Sequence, residues 1–212
     1  QNNQLYVLLI QQKFGTQESY WALPGGLVRD DESLQDAVKR ELKEETNIAV
    51  NYFEQLYTFG DDINRDPRNR VISVAYYALV DPSKLNVKAD SDAENAQWFQ
   101  INEVPVLAFD HTNILNAAID RLKAKLTYAP IGFDLLPKEF LFSELENLYC
   151  TILEKEIDRR NFRKKILSFE IIEETDRFSP IKSGRPAKLF KFNKKKYNDL
   201  LNKGFHFEIK FA

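Results

Sequence analysis

Three glutamates crowd the end of one helix in this chain. Glu41, Glu44 and Glu45 lie in the stretch RELKEETNI, residues 40–48, three and four positions apart, so their side chains are neighbours on one helical surface. Like charges at that spacing cost a helix about 0.2–0.5 kcal/mol per pair, and a helix C-terminus disfavours anions. At about 100° per residue, Glu41 and Glu45 fall inside the arc of Ala37, Val38, Leu42 and Ile48, with Glu44 at its edge. Gln35, Asp36, Lys39, Arg40 and Lys43 take the other side, facing solvent. An acidic helix is usually a solvated surface, but here the phase argues otherwise. Inward carboxylates must be paired or neutralised, and a hard divalent cation with oxygen ligands does this well. The acids read as a metal site.

The rest of the chain divides by charge. Of 212 residues, 43% are hydrophobic and 29% charged, a globular composition with room for one large or two small domains. From Ile131 onward there are 17 Lys+Arg against 13 Asp+Glu, leaving 13 against 19 before it. Between Arg159 and Lys196 the ratio is 13 to 4. An acidic body with a basic tail domain points to a polyanionic partner for the tail. The lone cysteine, Cys150, excludes an internal disulfide framework and reads as a small buried hydrophobe. No apolar run approaches membrane-spanning length and no secretory signal is present, so a cytoplasmic protein with no membrane partner is expected. Methionine is absent, so the gene's start is expected upstream of Gln1.

Local patterns order the elements. Strands are expected at Leu5–Phe14, at "SYWALPGGLV", at "NYFEQLYTF", over Val71–Val80 as a buried strand, and at "AQWFQI". Ser33 is a good N-cap with Asp36 at N3 for a helix ending near Thr46. A second, amphipathic helix runs through "HTNILNAAIDRLKAKL" with Asp110 as its cap. "TYAPIGFDLLP", with two prolines, marks the boundary between a domain over 1–130 and one over 131–212. Beyond it come a short helix "SELENLYCTIL", a turn, a second short helix "DRRNFRKKILS" capped by Asp158, and the strands "FEIIEE" and "KLFKF".

Read from Gly26, the chain gives Gly, five residues, Glu32, seven residues, Arg40-Glu41-Leu42, one residue, Glu44-Glu45, one residue, Asn47-Ile48. This resembles the Nudix box at every position except the last glycine, which is Asn47. That glycine ends the helix in a left-handed conformation, and Asn is its best substitute. The resemblance implies an α/β/α sandwich with a mixed sheet, and a further strand before Leu5. It implies one to three Mg²⁺ (or Mn²⁺) ions on Glu41, Glu44 and Glu45, with Arg40 orienting the glutamates and the Gly25-Gly26 turn letting backbone approach the metal. The implied chemistry is water attack on a diphosphate. Glu94 and Asp92 are candidate general bases outside the box.

The basic half resembles a winged helix-turn-helix, giving an α+β chain overall. In the helix "DRRNFRKKILS", Phe162 and Ile166 anchor the core side, while Arg160, Asn161, Arg163 and Lys164 point outward. Arg pairs with guanine edges and Asn with adenine, and Lys mostly meets phosphate. Lys182, Arg185 and Lys188 would belong to the wing. Together with "RDPRNRVISVAYYALV", "LAFDH" and "FDLLP", the two halves resemble Nudix-related transcriptional regulators of the NrtR type. That resemblance implies a homodimer on a palindromic operator in duplex DNA, and a Nudix domain sensing an ADP-ribose-type nucleotide or a pentose. Arg65, Arg68 and Arg70 are candidates to hold a diphosphate. The alternative is a Mg²⁺-dependent diphosphohydrolase of ADP-ribose-type substrates with an accessory C-terminal domain.

Overall fold

The computed structural model describes residues 4–13, 19–50, 52–88, 95–179 and 186–211. Two compact units divide between Arg121 and Leu122. That division falls inside a helix, ahead of the proline-bearing segment in which the sequence places it.

In the first unit, β1 (Tyr6–Lys13) lies between β2 (Ser19–Ala22) and β5 (Asn95–Gln100), antiparallel to both. Its alternation explains the layers. Leu9 and Ile10, both fully buried, point to opposite faces. Leu9 packs with Leu107, Leu115 and Ile119, and Ile10 with Ala22, Ala96 and Ala108. A strand apolar on both faces is a covered strand, as an α/β/α sandwich requires. The expected mixed sheet is present in reduced form: among the described residues of this unit every strand pair is antiparallel, and the parallel component is a single bridge from Trp21 to Leu107. β3 (Glu54–Phe59) and β4 (Ser73–Tyr77) form a separate antiparallel ribbon. The expected buried strand over Val71–Val80 is thus shorter, and it is half-buried throughout. A two-stranded ribbon leaves part of an apolar sequence uncovered.

Helix α1 (Leu34–Thr46) starts and stops as its sequence dictates. The Ser33 side chain accepts from the Asp36 amide, and Asn47 takes the left-handed conformation at φ 58° with its N–H on the Lys43 carbonyl. Helix α2 (His111–Tyr128) begins in the first unit and ends in the second. Asp110 contributes its backbone carbonyl to that helix start, accepting from Asn113 and Ile114, while its carboxylate is spent on Arg65. The side-chain cap expected there is displaced by a stronger ionic partner.

The second unit holds β6 (Phe140–Leu141), α3 (Phe142–Leu153), α4 (Arg159–Ser168), β7 (Ile172–Phe178), β8 (Lys188–Phe192) and α5 (Lys194–Asn202). Its sheet runs β6-β8-β7. Leu145 and Tyr149 from α3, Phe162 and Ile166 from α4, and Phe140 and Phe190 from the sheet are all buried, closing a helix-turn-helix over a three-stranded sheet. Asp158 caps α4 by accepting from the Asn161 amide, as its sequence predicts. α5 and the extended tail behind it lie beyond the expected elements. In that tail Phe205, Phe207, Ile209 and Phe211 alternate with polar residues, Phe207 and Ile209 are buried, and the Ile209 amide donates to the Thr127 carbonyl. The period of two was the legible signal for it.

Candidate functional site

Arg40 organises the acidic helix. Its guanidinium has five N–H donors in a rigid fork, and all five are used. Nε and Nη2 take the two Glu32 oxygens at 2.9 and 2.5 Å, Nη1 reaches Glu41 at 2.7 Å and Glu44 at 3.1 Å, and Nη2 also reaches the Leu27 carbonyl at 3.1 Å. The hydrogen bonds from Arg40, helped by the Arg29 amide, hold the Glu32 carboxyl down at about 2, and Glu32 with Glu41 raises the Arg40 guanidinium above its usual value. The like-charge repulsion read from the sequence is relieved by an arginine from the same helix.

Glu45 is the innermost acid, with 3% of its surface exposed. One oxygen accepts from the Gln12 side chain on β1, the other from the Gly25 amide at 2.8 Å. Gly25 has φ 151°, a conformation side chains rarely adopt, and a β-carbon on Gly26 would overlap the Glu41 carboxylate. The Gly25-Gly26 turn therefore lets backbone reach this carboxylate cluster, as the sequence implies. Hydrogen-bond partner Gln12 is a site residue that the sequence did not single out; Glu32 stood there as a fixed box position, but without its role of clamping Arg40.

Carboxylate oxygens are the donors that Mg²⁺ or Mn²⁺ takes. In the described geometry, however, Glu41 and Glu44 sit on Arg40 and Glu45 sits on Gln12 and Gly25. Among the described residues no three His, Cys, Asp or Glu side chains gather as a metal site. A divalent ion there would have to draw Glu41 and Glu44 off the guanidinium. The candidate bases Asp92 and Glu94 lie outside the described residues.

The three loop arginines differ from one another. Arg65 is buried; Nε and Nη2 make a bidentate pair with Asp110 at 2.8 and 2.7 Å, and Nη1 donates to Ser73 Oγ at 2.6 Å. It ties the loop after β3 to the start of α2. Arg68 is half-exposed, pairs with Asp66 at 2.7 Å and lies 4.4 Å over the Phe109 ring. Arg70 is exposed, with its closest polar contact on the Asp62 carbonyl at 3.5 Å. Of the three, Arg68 and Arg70 face solvent.

On α4, Arg160, Asn161, Arg163 and Lys164 are all exposed, and Phe162 and Ile166 are buried. The Asn161 amide group donates to Asp158 at 2.8 Å, so it also serves the cap. Arg163 lies 4.5 Å over Phe142 and 5.2 Å over Phe190, a cation–π seat that pre-sets its direction. Lys188 at the wing's base pairs with Glu174 at 2.9 Å. Lys182 and Arg185 lie outside the described residues.

Comparison with known proteins bears on both halves. Residues 1–122 match the NUDIX domain model, and residues 132–192 the NrtR DNA-binding winged helix domain. The chain is 36% identical, over 92% of its length and 78% of the relative's, to the ADPR responsive transcriptional repressor NtrR of Acinetobacter baylyi. It is 38% identical, over 51% of its length and 63% of the relative's, to an ADP-ribose pyrophosphatase of Methanocaldococcus jannaschii. Among solved structures, NrtR of Shewanella oneidensis complexed with a 27mer DNA superimposes with a TM-score of 0.74 at 28% identity, covering 100% of this chain and 94% of that one. Its NUDIX domain complexed with ADP ribose gives 0.53 at 34% identity, covering 57% and 80%. Domain order, box and recognition helix agree with these matches, and the chain belongs to the NrtR family of Nudix-related, DNA-binding transcriptional regulators.

Proposed function

We propose that this regulator is a repressor released by ADP-ribose: a homodimer that holds a palindromic operator through α4 and the wing, and lets go when the Nudix unit binds the nucleotide. The observation that carries it is the likeness over 92% of the chain to a repressor that responds to ADPR. Between the two effector classes, the same likeness and the ADP ribose complex of a relative's NUDIX domain favour the nucleotide over a pentose. Arg68, exposed over the Phe109 ring, and Arg70, exposed on the same loop as Arg68, are the candidates to meet its diphosphate. Among the described residues no helix is long and apolar enough to cross a membrane, and a cytoplasmic location follows from a DNA partner.

The effector must bind the operator-free state more tightly than the operator-bound state. A coupling of about 1–3 kcal/mol changes operator affinity by about 5–150-fold. Fluorescence anisotropy on the protein's own promoter region, titrated with ADP-ribose and separately with arabinose, measures it. Operator affinity that ignores ADP-ribose overturns the effector; no binding at low salt, with and without ligand, overturns the regulator.

A second reading rests on the intact glutamates. With Glu41, Glu44 and Glu45 retained, Mg²⁺-dependent hydrolysis of ADP-ribose to AMP and ribose 5-phosphate is supported by the archaeal pyrophosphatase likeness. Product analysis in the same samples with Mg²⁺ present separates sensing from turnover.

A further inference from the structure

The loop that carries Gly25 and Gly26 is held from two sides. The Leu23 amide donates to Nδ1 of His111 at 2.9 Å, and two residues on the Gly25 amide donates to Glu45 at 2.8 Å. Pro24 between them has no N–H. Both amides of this three-residue stretch are therefore spent on side chains from different helices, α2 and α1. Gly26, the next residue, lies against the Glu41 carboxylate.

The His111 end of this arrangement is a fixed post. Phe109 adopts φ 53°, costly for a bulky residue, and such strain persists only where neighbours over-determine it. They do so here. The Ala108 amide donates to the Trp21 carbonyl at 2.8 Å, the His111 amide to the Ala108 carbonyl at 3.1 Å, and Arg65 grips Asp110. The Phe109 ring carries Arg68 over it and meets the His111 ring edge-to-face, 5.8 Å between centroids. An imidazole nitrogen that accepts must be unprotonated, so the ring is neutral with its proton on Nε2.

We propose that His111 is a positioning residue of the effector site: its Nδ1, by holding the Leu23 amide, sets the Gly25-Gly26 turn against Glu45 and Glu41. This deepens the reading of the Nudix unit as an ADP-ribose sensor and rests on it for the ligand. The need is for an acceptor at one place, and that is testable. Asn carries Oδ1 on Cγ, where His carries Nδ1, whereas Gln carries its amide out where Nε2 stands. His111→Asn should keep the post, and His111→Gln and His111→Leu should lose it.

The full chain and these three variants are compared in two assays. In ligand-free protein, amide hydrogen exchange at Leu23 and Gly25 is read by NMR. Exchange at both amides should quicken about tenfold or more in His111→Leu and His111→Gln, and stay within about threefold of the parent in His111→Asn. In calorimetric titrations, ADP-ribose should bind about tenfold more weakly to the first two and nearly as in the parent to the third. Unchanged Gly25 exchange in the Gln variant overturns the proposal, as does an Asn variant as impaired as Gln. Should the Leu variant fail to fold, the Asn and Gln pair decides alone. A parent that binds no ADP-ribose overturns the sensor reading instead, and the exchange assay still decides the role of His111.

Discussion

At the scale of single residues, the same residue type does different work according to burial. Arg40 and Arg65 both make bidentate carboxylate pairs, but Arg40 gathers three acids at the site, while Arg65 spends its fork inside the fold. With only 4% of its side chain exposed, and Asp110 at 17%, Arg65 belongs with buried pairs. Breaking such a pair from one side is strongly destabilising, because it strands the other charge. Arg65→Ala should lower stability by about 3 kcal/mol in denaturant unfolding. A variant as stable as the parent, with weakened ADP-ribose binding, would return Arg65 to the ligand-binding set. His111 carries a sign that can be worked out. Burial dominates in lowering its pKa below 6.5, the Asp110 and Asp66 charges oppose this, and Arg65 and Arg68 assist. The unfolded chain therefore binds the proton more readily, and stability falls as pH drops below about 6.5. His111→Asn, which cannot take up that proton, should show a flatter stability profile between pH 7 and 5 than the parent.

Among the elements, α1 shows how one departure from a motif is absorbed. Asn47 stands where the box has glycine, at φ 58°, and its side chain adds contacts: Lys43 Nζ donates to Oδ1 at 2.6 Å, and Nδ2 reaches the Asn86 carbonyl at 3.5 Å. A non-glycine residue in the left-handed region costs about 1–2 kcal/mol, less for Asn. Asn47→Gly trades those contacts for conformational ease and should leave stability within about 1 kcal/mol. Asn47→Ala keeps the strain, loses the contacts, and should cost about 1–2 kcal/mol. Thermal unfolding of the pair measures this; an Ala variant as stable as the Gly variant would mean the cap is not what ends the helix. Local signals found α1, α2, α3 and α4 and most strands because capping and periodicity act within a few residues. The ribbon of β3 and β4 came out less buried than its sequence, since what covers a strand is set by distant segments.

For the whole molecule, the decisive feature is the charge asymmetry between its halves. The nine-charge excess between Arg159 and Lys196 spans α4 and the wing, in a protein of net charge −2. Neutralising DNA phosphates releases counterions, so operator affinity should fall by about 10³–10⁵ between 50 and 200 mM salt for 6–10 contacts. Arg160→Ala should relax preference at one base position, and Lys164→Ala should weaken all sequences about equally. Salt titrations on an inverted repeat and on a scrambled duplex test both. A shallow slope, or equal affinity for the two duplexes, would remove α4 from the role of reader.

The sequence by itself determined the Nudix box, the phase of its glutamates, both caps of α1, the recognition helix with its cap, and the family they belong to. All of these depend on residues within about one or two helical turns, or on fixed spacings along the chain. Only the tertiary structure decided which groups satisfy the acids and which hold the loop. Gln12 meets Glu45 across 33 positions, Arg65 meets Asp110 across 45, and Leu23 meets His111 across 88. A buried polar group must find a partner, but nothing in its own neighbourhood says from how far along the chain that partner will come.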